Sequence, residues 1–303
     1  MIDYKKFVDN SINYLVEYIK TNRLQSLVLG ISGGIDSTVV AAIASEACSK
    51  CEIPLIGRSL PAHSNNPEEI NTAILVGKAF CNDFKEVAIE RMYAKVSDEM
   101  ELNEGKITPL QLGNVKARLR MIYLYNLASI HRGCVLDTDN RTEHELGFWT
   151  IHGDVGDLNC GLIHLWKTEV YELAEYLLRE LSTEYPKESK YSSKERNTIY
   201  SKYEAIQASI LLTPTDGNGV MPGGDCAQFG LDNYEQVDDV LKTMYFDENH
   251  AWDTPNEKGD KEYIRLIDSY NEQGVDKVMT LHQNSMFKRQ PLPISPTKKE
   301  LGL

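Results

Sequence analysis

The alternation of short apolar runs with helical segments constrains the fold of this chain more than any other feature. Runs rich in strand-forming residues occupy 26–29, 53–60, 84–89 and 134–137. Segments with helical spacing occupy 3–21, 38–47, 70–80, 115–130 and 166–178. This alternation is typical of a parallel sheet flanked by helices. The sequence therefore predicts an α/β fold with a doubly wound parallel sheet, whose ligands bind beyond the carboxyl ends of the strands.

Three segments interrupt this pattern, and we interpret them as helical insertions or mobile loops. They span 180–202, which is dense in Lys, Glu and Ser, 214–230, which resembles a lid, and the acidic segment 246–261. A tail from 283 to 303 contains three prolines. We expect a single domain over residues 1–303, because the chain is long for one domain and short for two large ones.

Composition narrows the classes of partner. The formal net charge of −13 disfavours broad nucleic-acid binding, because an acidic surface repels phosphate backbones. No apolar stretch approaches the roughly 18–20 residues that a membrane-spanning helix needs. The amino-terminal residues begin a polar-interrupted helix and not a signal peptide, so we expect a cytoplasmic protein.

Cysteine spacing gives little support for a metal centre. Cys48 and Cys51 form a lone CxxC pair, and a structural zinc site needs a second pair of ligands at suitable spacing. We interpret them as two reduced cysteines at a helix end.

The segment 29–37, LGISGGIDS, joins the first predicted strand to the next helix. A glycine-rich turn at a helix start directs backbone N–H groups toward an anion, and the helix dipole favours negative charge there. Gly33 and Gly34 would let a phosphate approach the backbone, and Ser32 and Ser37 add hydroxyl groups. A carboxylate beside a phosphate is repulsive, so Asp36 is best explained by a bridging Mg²⁺.

Two familiar phosphate motifs are excluded. A Walker A loop requires GxxxxGK[ST], and no lysine follows Gly34. The Rossmann fingerprint requires GxGxxG, which the spacing of Gly30, Gly33 and Gly34 does not match. An ordinary strand-to-helix turn, with Ser and Asp as caps, stays open as the alternative.

The SGGIDS loop resembles the ATP-pyrophosphatase superfamily of amide and thio ligases. Further segments occur in the order of the NAD synthetase family and are similar to its motifs: GNVKARLRM at 113–121, DTDNRTE at 137–143, GFWT at 147–150 with GD at 153–154, LWKT at 165–168, PTD at 214–216 and FKR at 287–289. The ordered set is far more specific than any one motif. It resembles the ammonia-dependent branch of that family, because the segment before the loop is too short for a glutaminase domain.

The resemblance implies an adenine nucleotide α-hydrolase-like fold and a ligase activity. In the family, the carboxylate of nicotinic acid adenine dinucleotide attacks ATP with Mg²⁺, releasing pyrophosphate, and ammonia then displaces AMP to give NAD. Members are typically homodimers with the dinucleotide site near the interface, so we expect a homodimer here.

The resemblance also implies roles for individual residues. It implies ATP contacts for Gly30, Ile31, Ser32, Gly33, Gly34, Ile35, Asp36, Ser37, Thr138, Lys167 and Thr215. It implies catalysis by Asp36, Glu143 and Lys167, and Mg²⁺ coordination by Asp36 and Glu143. It implies binding of the acid substrate by Arg118, Asp154, Asp157 and Lys288.

Several of these residue types have ordinary structural explanations as well. Glu143 could be a solvated helix residue, Arg118 a surface ion pair and Lys167 the flank of a helix start. The roles of Asp157 and Lys288 stay open between structure and substrate binding.

The chain departs from the family pattern mainly on the acid-substrate side. Ile151 replaces a lysine, Phe287 a histidine, Cys160 a proline and Asp137 a glycine, and the Gly153–Asp157 segment is one residue short. Two alternatives therefore stay open: a sister ligase that adenylates a different carboxylate, and a nucleotide-binding protein without turnover. Retention of Asp36, Glu143 and Lys167 argues against the second.

Overall fold

A computed structural model describes residues 2–63, 65–184, 192–215, 224–246 and 257–289. The described residues form a five-stranded sheet in the order β3-β2-β1-β4-β5, with every pair parallel. Its strands are β1 Ser26–Gly30, β2 Leu55–Ser59, β3 Asp83–Glu86, β4 Gly133–Asp137 and β5 Leu158–Asn159. The predicted doubly wound parallel sheet is confirmed, and its first four strands coincide with the predicted runs.

The α-helices up to β5 follow the predicted alternation with strands, and further helices of the described residues then follow one another without a strand between them. They are α1 Tyr4–Asn22, α2 Ile35–Cys51, α3 Pro67–Phe80, α4 Glu90–Glu104, α5 Pro109–Ile130, α6 Arg141–Leu146, α7 Lys167–Glu184, α8 Ser193–Leu211, α9 Gly224–Phe229, α10 Tyr234–Leu241, α11 Glu257–Ser269 and α12 Glu272–Asn284. Helical spacing located α1, α2, α3, α5 and α7 and did not locate α6 or α8 to α12. It also missed α4, whose apolar residues are largely exposed, and β5 is too short for an alternating pattern.

The two faces of the sheet are covered by different helices because successive strand residues point to opposite sides. Leu27 and Leu29 of β1 face a core built with α1, α2, α3, α7 and α8. Val28 between them faces a smaller core with Met121 and Leu124 of α5. Strands buried on both faces read as continuous apolar runs, which is why these segments show no polar alternation.

A third cluster of apolar residues lies in the carboxyl-terminal helices. The cluster contains Phe229, Val237, Leu241, Leu266 and Val275. It extends to Leu146, the last residue of α6, and to Trp166, which directly precedes α7. The carboxyl-terminal helices are therefore packed against the elements that follow β4.

The predicted insertions differ from the structure in part. The segment 180–202 is largely helical, because α7 continues through Glu184 and α8 begins at Ser193, and α8 packs against α3 and α7. Residues 185–191 of this segment lie outside the described residues, as do 216–223 of the lid-like segment, 247–256 of the acidic segment and 290–303 of the tail.

Two further expectations concern cysteines and membranes. Cys48 and Cys51 are free thiols in the last turn of α2, as predicted. None of the helices in the described ranges is long and apolar enough to cross a membrane.

The packing of α3 on β3 makes a test of this arrangement. Gly77 lies so close to Phe84 that an added Cβ would stand 2.5 Å from the ring's Cγ. Helix propensity alone predicts that Gly77→Ala stabilises the protein by about 1 kcal/mol. We expect the opposite sign, a loss of about 2 kcal/mol in the free energy of unfolding, because the aromatic ring must move. Urea unfolding measures this value, and a stabilised variant would contradict the packing.

Candidate active site

A cavity of about 620 Å³ opens at the carboxyl ends of β1, β2 and β4. The strand order reverses between β1 and β4, and this switch point is where doubly wound sheets bind ligands. Predicted residues that line it are Gly30, Ile31, Ser32, Gly34, Ile35, Asp36, Ser37, Thr138, Glu143, Asp154, Lys167, Thr215 and Lys288. Within the described residues, the predicted residues Gly33, Arg118 and Asp157 are not among those that line this cavity.

The glycine-rich loop is shaped by backbone geometry. Gly33 has a φ of +91°, and an added Cβ would lie 2.5 Å from the carbonyl oxygen of Glu69. A glycine is required there for the turn and for close packing on α3. Gly34 then forms the N-cap of α2, so the first N–H groups of that helix face the cavity.

Hydroxyl groups hold the loop in place. The Ser37 hydroxyl donates to the Gly34 carbonyl at 3.1 Å and lies 3.1 Å from the Ser32 hydroxyl. The Gly34 N–H donates to the Ser32 oxygen at 3.2 Å, and the Thr38 hydroxyl also donates to the Gly34 carbonyl. The serines therefore brace the glycine-rich loop from within in this structure.

Three residues from separate parts of the chain meet at one ammonium group. Lys167 Nζ donates to Asp36 Oδ2 at 2.5 Å and to Glu143 Oε1 at 3.0 Å. Asp36 lies in the first turn of α2, Glu143 in the first turn of α6 and Lys167 at the start of α7. The lysine side chain is only 4% exposed, and the carboxylates are 14% and 18% exposed.

Burial and charge act in opposite directions at this cluster. Burial raises the pKa of Glu143 to about 7, although the neighbouring Lys167 ammonium works to lower it. Burial works to lower the pKa of Lys167, but the carboxylates of Asp36 and Glu143 outweigh it and raise that pKa well above its ordinary value. The lysine therefore stays charged inside the protein.

Asn140 ties α6 to the glycine-rich loop, and the predictions did not give it a role. Its side chain accepts from the Glu143 N–H at 3.0 Å, which caps α6, and its Nδ2 donates to Asp36 Oδ1 at 2.9 Å. Asn140 is fully buried. The sequence signal for this role was the asparagine of the DTDNRTE segment. Asparagine is a preferred residue at a helix N-cap, and here it precedes an acidic residue of the same segment.

The acid-substrate side of the cavity contains Asp154 and Lys288. Asp154 Oδ2 accepts from the Thr150 N–H at 2.6 Å, and burial raises the pKa of Asp154. Lys288 Nζ donates to the carbonyl oxygens of Gly147 at 2.7 Å and Trp149 at 2.5 Å, and burial lowers its pKa. Lys288 thus fastens the Gly147–Trp149 segment while lining the cavity.

Arg118 and Asp157 lie on the outer side of α5. Arg118 is exposed, and its Nε donates to the Ile151 carbonyl at 3.1 Å. Asp157 accepts from the Tyr125 hydroxyl at 2.8 Å and the Val135 N–H at 3.4 Å. Neither residue lines the cavity.

The departure at Asp137 has a structural explanation. Its Oδ1 accepts from the Gly156 N–H at 3.1 Å and its Oδ2 from Asn159 Nδ2 at 2.7 Å. Gly156 itself packs on the backbone of β4, where a Cβ would lie 2.7 Å from the Asp137 nitrogen. The buried carboxylate therefore anchors the shortened 153–157 segment directly against the sheet.

Other polar residues line the cavity that the predictions did not name. Arg58 is 3% exposed at the end of β2 and pairs with Asp83 at 2.8 Å, while Arg120 Nε donates to the Leu60 carbonyl at 3.0 Å. Glu69 of α3 accepts a short hydrogen bond from the Thr215 hydroxyl. Arg58 could have been proposed as a cavity residue from the sequence, because it is a charged residue at the end of a buried strand.

A family model described as NAD synthase matches residues 7–189 of this chain, which include the glycine-rich loop, Glu143 and Lys167. The chain belongs to the NAD synthase family. An NH(3)-dependent NAD(+) synthetase of Thermococcus sibiricus is 32% identical over 177 residues, which cover 58% of this chain and 66% of that protein. The matched region thus spans just under two thirds of the length of this relative.

Solved structures agree with the NAD synthase family assignment at the level of the fold. An NMN synthetase from Francisella tularensis has a TM-score of 0.71 at 22% identity and covers 98% of this chain and 100% of its own. An NH3-dependent NAD synthetase from Campylobacter jejuni has a TM-score of 0.65 at 21% identity and covers 97% and 100%. The predicted adenine nucleotide α-hydrolase-like fold is confirmed.

The buried cluster of Lys167, Asp36 and Glu143 is open to a test by paired substitutions. Lys167→Met leaves two buried carboxylates without their cation, so we expect a loss of about 3 kcal/mol in the free energy of unfolding. Adding Glu143→Gln removes one of those charges, and the double variant should regain part of the loss. Urea unfolding in the presence of a chelator measures both. Additive losses would contradict a shared ion cluster.

Proposed function

We propose that this chain is an ammonia-dependent NAD synthetase. It would adenylate nicotinic acid adenine dinucleotide with ATP and then amidate it with ammonia, giving NAD, AMP and pyrophosphate. The observation that carries the proposal is the convergence of Asp36, Glu143 and Lys167 beside the glycine-rich loop in a member of the NAD synthase family. The related Thermococcus protein bears the same activity in its name.

The first step transfers an adenylyl group. A carboxylate oxygen of the acid attacks the α-phosphorus of ATP, and the bond from that phosphorus to the bridging oxygen breaks, releasing pyrophosphate. The first N–H groups of α2 face the cavity and would bind the departing phosphates, since a helix N-terminus favours anions. Lys167 adds a positive point charge there, and Thr138 and Thr215 would contact ATP.

The second step forms the amide. The nitrogen of ammonia attacks the acyl carbon, AMP leaves with the electron pair of the broken acyl–oxygen bond, and a proton is lost from nitrogen. Asp154 and Lys288 are the predicted residues on this side that line the cavity. Positioning the two reactants together supplies much of the catalysis.

The residues fit a Mg²⁺ ion that arrives with ATP. Asp36 and Glu143 present hard carboxylate oxygens at the cavity wall, and the pair has only one ammonium between them. In the described part of the chain no three His, Cys, Asp or Glu side chains are grouped to hold a metal by themselves. Mg²⁺ commonly takes one or two carboxylates together with phosphate oxygens, so Asp36 and Glu143 would hold it and it would neutralise phosphate charge.

A homodimer would account for the position of Arg118 and Asp157. Beside them, α5 exposes Ile122 at 64% and Tyr125 at 41%. An apolar stripe of this kind, rimmed by charged residues, is typical of a protein interface. If a second copy of the chain packed against this stripe, Arg118 and Asp157 of one copy would lie next to the other copy and would enlarge its substrate site.

A cytoplasmic location stays a prediction of the sequence.

The activity is tested by incubating the purified protein with Mg²⁺, ATP, ammonia and nicotinic acid adenine dinucleotide. We expect formation of NAD and pyrophosphate, and about a 100-fold loss of rate in Asp36→Ala, which removes a charge at the phosphate site. Asp268→Ala, on the exposed face of α11, is the matched control and should retain the wild-type rate.

The same assay with nicotinic acid mononucleotide tests the identity of the acid. This acid is the appropriate comparison because the structural neighbour from Francisella is an NMN synthetase. Pyrophosphate release with the mononucleotide and none with the dinucleotide would overturn the proposed substrate while retaining the ligase chemistry.

The interface has its own experiment. Ile122→Glu places a charge on the apolar stripe, so light scattering after gel filtration should show a shift from dimer to monomer. Ile264→Glu, at an exposed position of α11, should leave the dimer intact. A wild-type protein that is monomeric at micromolar concentration would refute the interface.

A further inference from the structure

Helix α10 contacts α6 and α7, the helices that bring Glu143 and Lys167 into the cavity. Its residue Asp238 is 1% exposed and does not line the cavity. Its Oδ1 accepts from the Thr142 hydroxyl at 2.5 Å, and its Oδ2 accepts from the Thr168 N–H at 3.0 Å and from the Thr168 hydroxyl at 2.8 Å. One carboxylate therefore joins the first turn of α6 to the first turn of α7.

The threonines are chain neighbours of the catalytic candidates. Thr142 directly precedes Glu143, and Thr168 directly follows Lys167. The Lys167 N–H donates to the hydroxyl oxygen of Thr142 at 2.8 Å, so the Thr142 side chain links the start of α6 to the backbone of α7 as well as to Asp238. The first N–H groups of α7 lack partners within the helix, and a carboxylate supplied from α10 both satisfies one of them and complements the helix dipole.

A second residue of α10 contacts the same lysine. Tyr234 lies one helical turn before Asp238, on the same face of α10. Lys167 Nζ stands 5.3 Å from the centre of the Tyr234 ring, which attracts the ammonium. The Tyr234 hydroxyl in turn donates to Asp225 at 2.9 Å. Helix α10 thus contacts the ammonium group of Lys167 through Tyr234 and the N–H of its chain neighbour Thr168 through Asp238.

We propose that Asp238 is a positioning residue for ATP activation: it holds the starts of α6 and α7 at the separation that brings Lys167 and Glu143 together at the phosphate site. The inference rests on the proposed function, because it assumes that these two side chains act on ATP. Asp238 acts through Thr142 and Thr168 and touches no substrate.

The neighbouring residue Asp239 offers a matched control. It accepts from the Tyr270 hydroxyl at 2.8 Å, from Arg265 at 3.3 Å and from the Thr243 hydroxyl at 3.2 Å. These contacts stay within the carboxyl-terminal helices and do not reach α6 or α7. Asp239→Asn therefore removes a comparable charge from the same helix without disturbing the helix starts that carry Glu143 and Lys167.

The experiment compares Asp238→Asn with Asp239→Asn in pyrophosphate release, per mole of folded protein. We expect kcat to fall on the order of 10- to 100-fold and the KM for ATP to rise in Asp238→Asn, since displacement of a catalytic group by about 1 Å costs that much. The KM for nicotinic acid adenine dinucleotide should stay within about twofold. Asp239→Asn should match the wild type even where its melting temperature falls. Equal kinetics in the two variants would overturn the inference.

A milder pair keeps the test decisive if Asp238→Asn does not fold. Thr168→Val removes the hydroxyl that donates to Asp238 and retains the N–H, whereas Thr168→Ser retains both donors. We expect reduced kcat in Thr168→Val and rescue in Thr168→Ser. Loss of kcat in both, or in neither, would refute the role of this hydrogen bond.

Calorimetric binding of Mg²⁺-ATP alone separates this inference from the proposed function. A wild-type protein that binds Mg²⁺-ATP but releases no pyrophosphate with the dinucleotide would refute the proposed function. In that case the positioning role of Asp238 is tested by binding alone: Asp238→Asn should bind Mg²⁺-ATP more weakly than Asp239→Asn. A wild-type protein that does not bind Mg²⁺-ATP would refute both.

Discussion

The buried ammonium of Lys167 is the interaction on which the candidate site depends. It lies between two carboxylates that reach it from different helices, and burial makes each charge costly without the others. Asp36 follows β1, while Glu143 and Lys167 follow β4 and β5. The ion cluster therefore requires the strand order that brings β1 beside β4, and the sheet in turn positions three helix starts around one point.

The residues that hold this ion cluster in place come from two parts of the fold. Asn140 lies after β4 and connects α6 to Asp36. Asp238 and Tyr234 lie in the carboxyl-terminal helices and contact α6 and α7. Leu146 and Trp166 extend the apolar packing of those helices to the same two elements. The carboxyl-terminal helices consequently contribute to the site by holding its walls, in addition to covering apolar surface.

Local sequence was sufficient for much of the fold and for the phosphate side of the site. Continuous apolar runs located four strands, and the SGGIDS turn located the helix start that faces the cavity. Periodicity could not reveal β5, because two residues carry no pattern. The sequence also did not show one reason for glycine at position 33: its conformation and its contact with the Glu69 carbonyl demand glycine, and those depend on where α3 packs.

The residues by themselves determined the order of four strands and of the helices α1, α2, α3, α5 and α7, the family motifs and the chemical types available for an ATP site. Only the tertiary structure decided which of them share a cavity: Lys288 and Asp154 line it, whereas Arg118 and Asp157 do not. It also assigned Asp137 to anchoring the 153–157 segment and Asp238 to joining two helices. The physical reason is that hydrogen bonds and ion pairs act over about 3 Å. Partners separated by 131 positions in the chain, as Lys167 and Asp36 are, meet only when the sheet is complete.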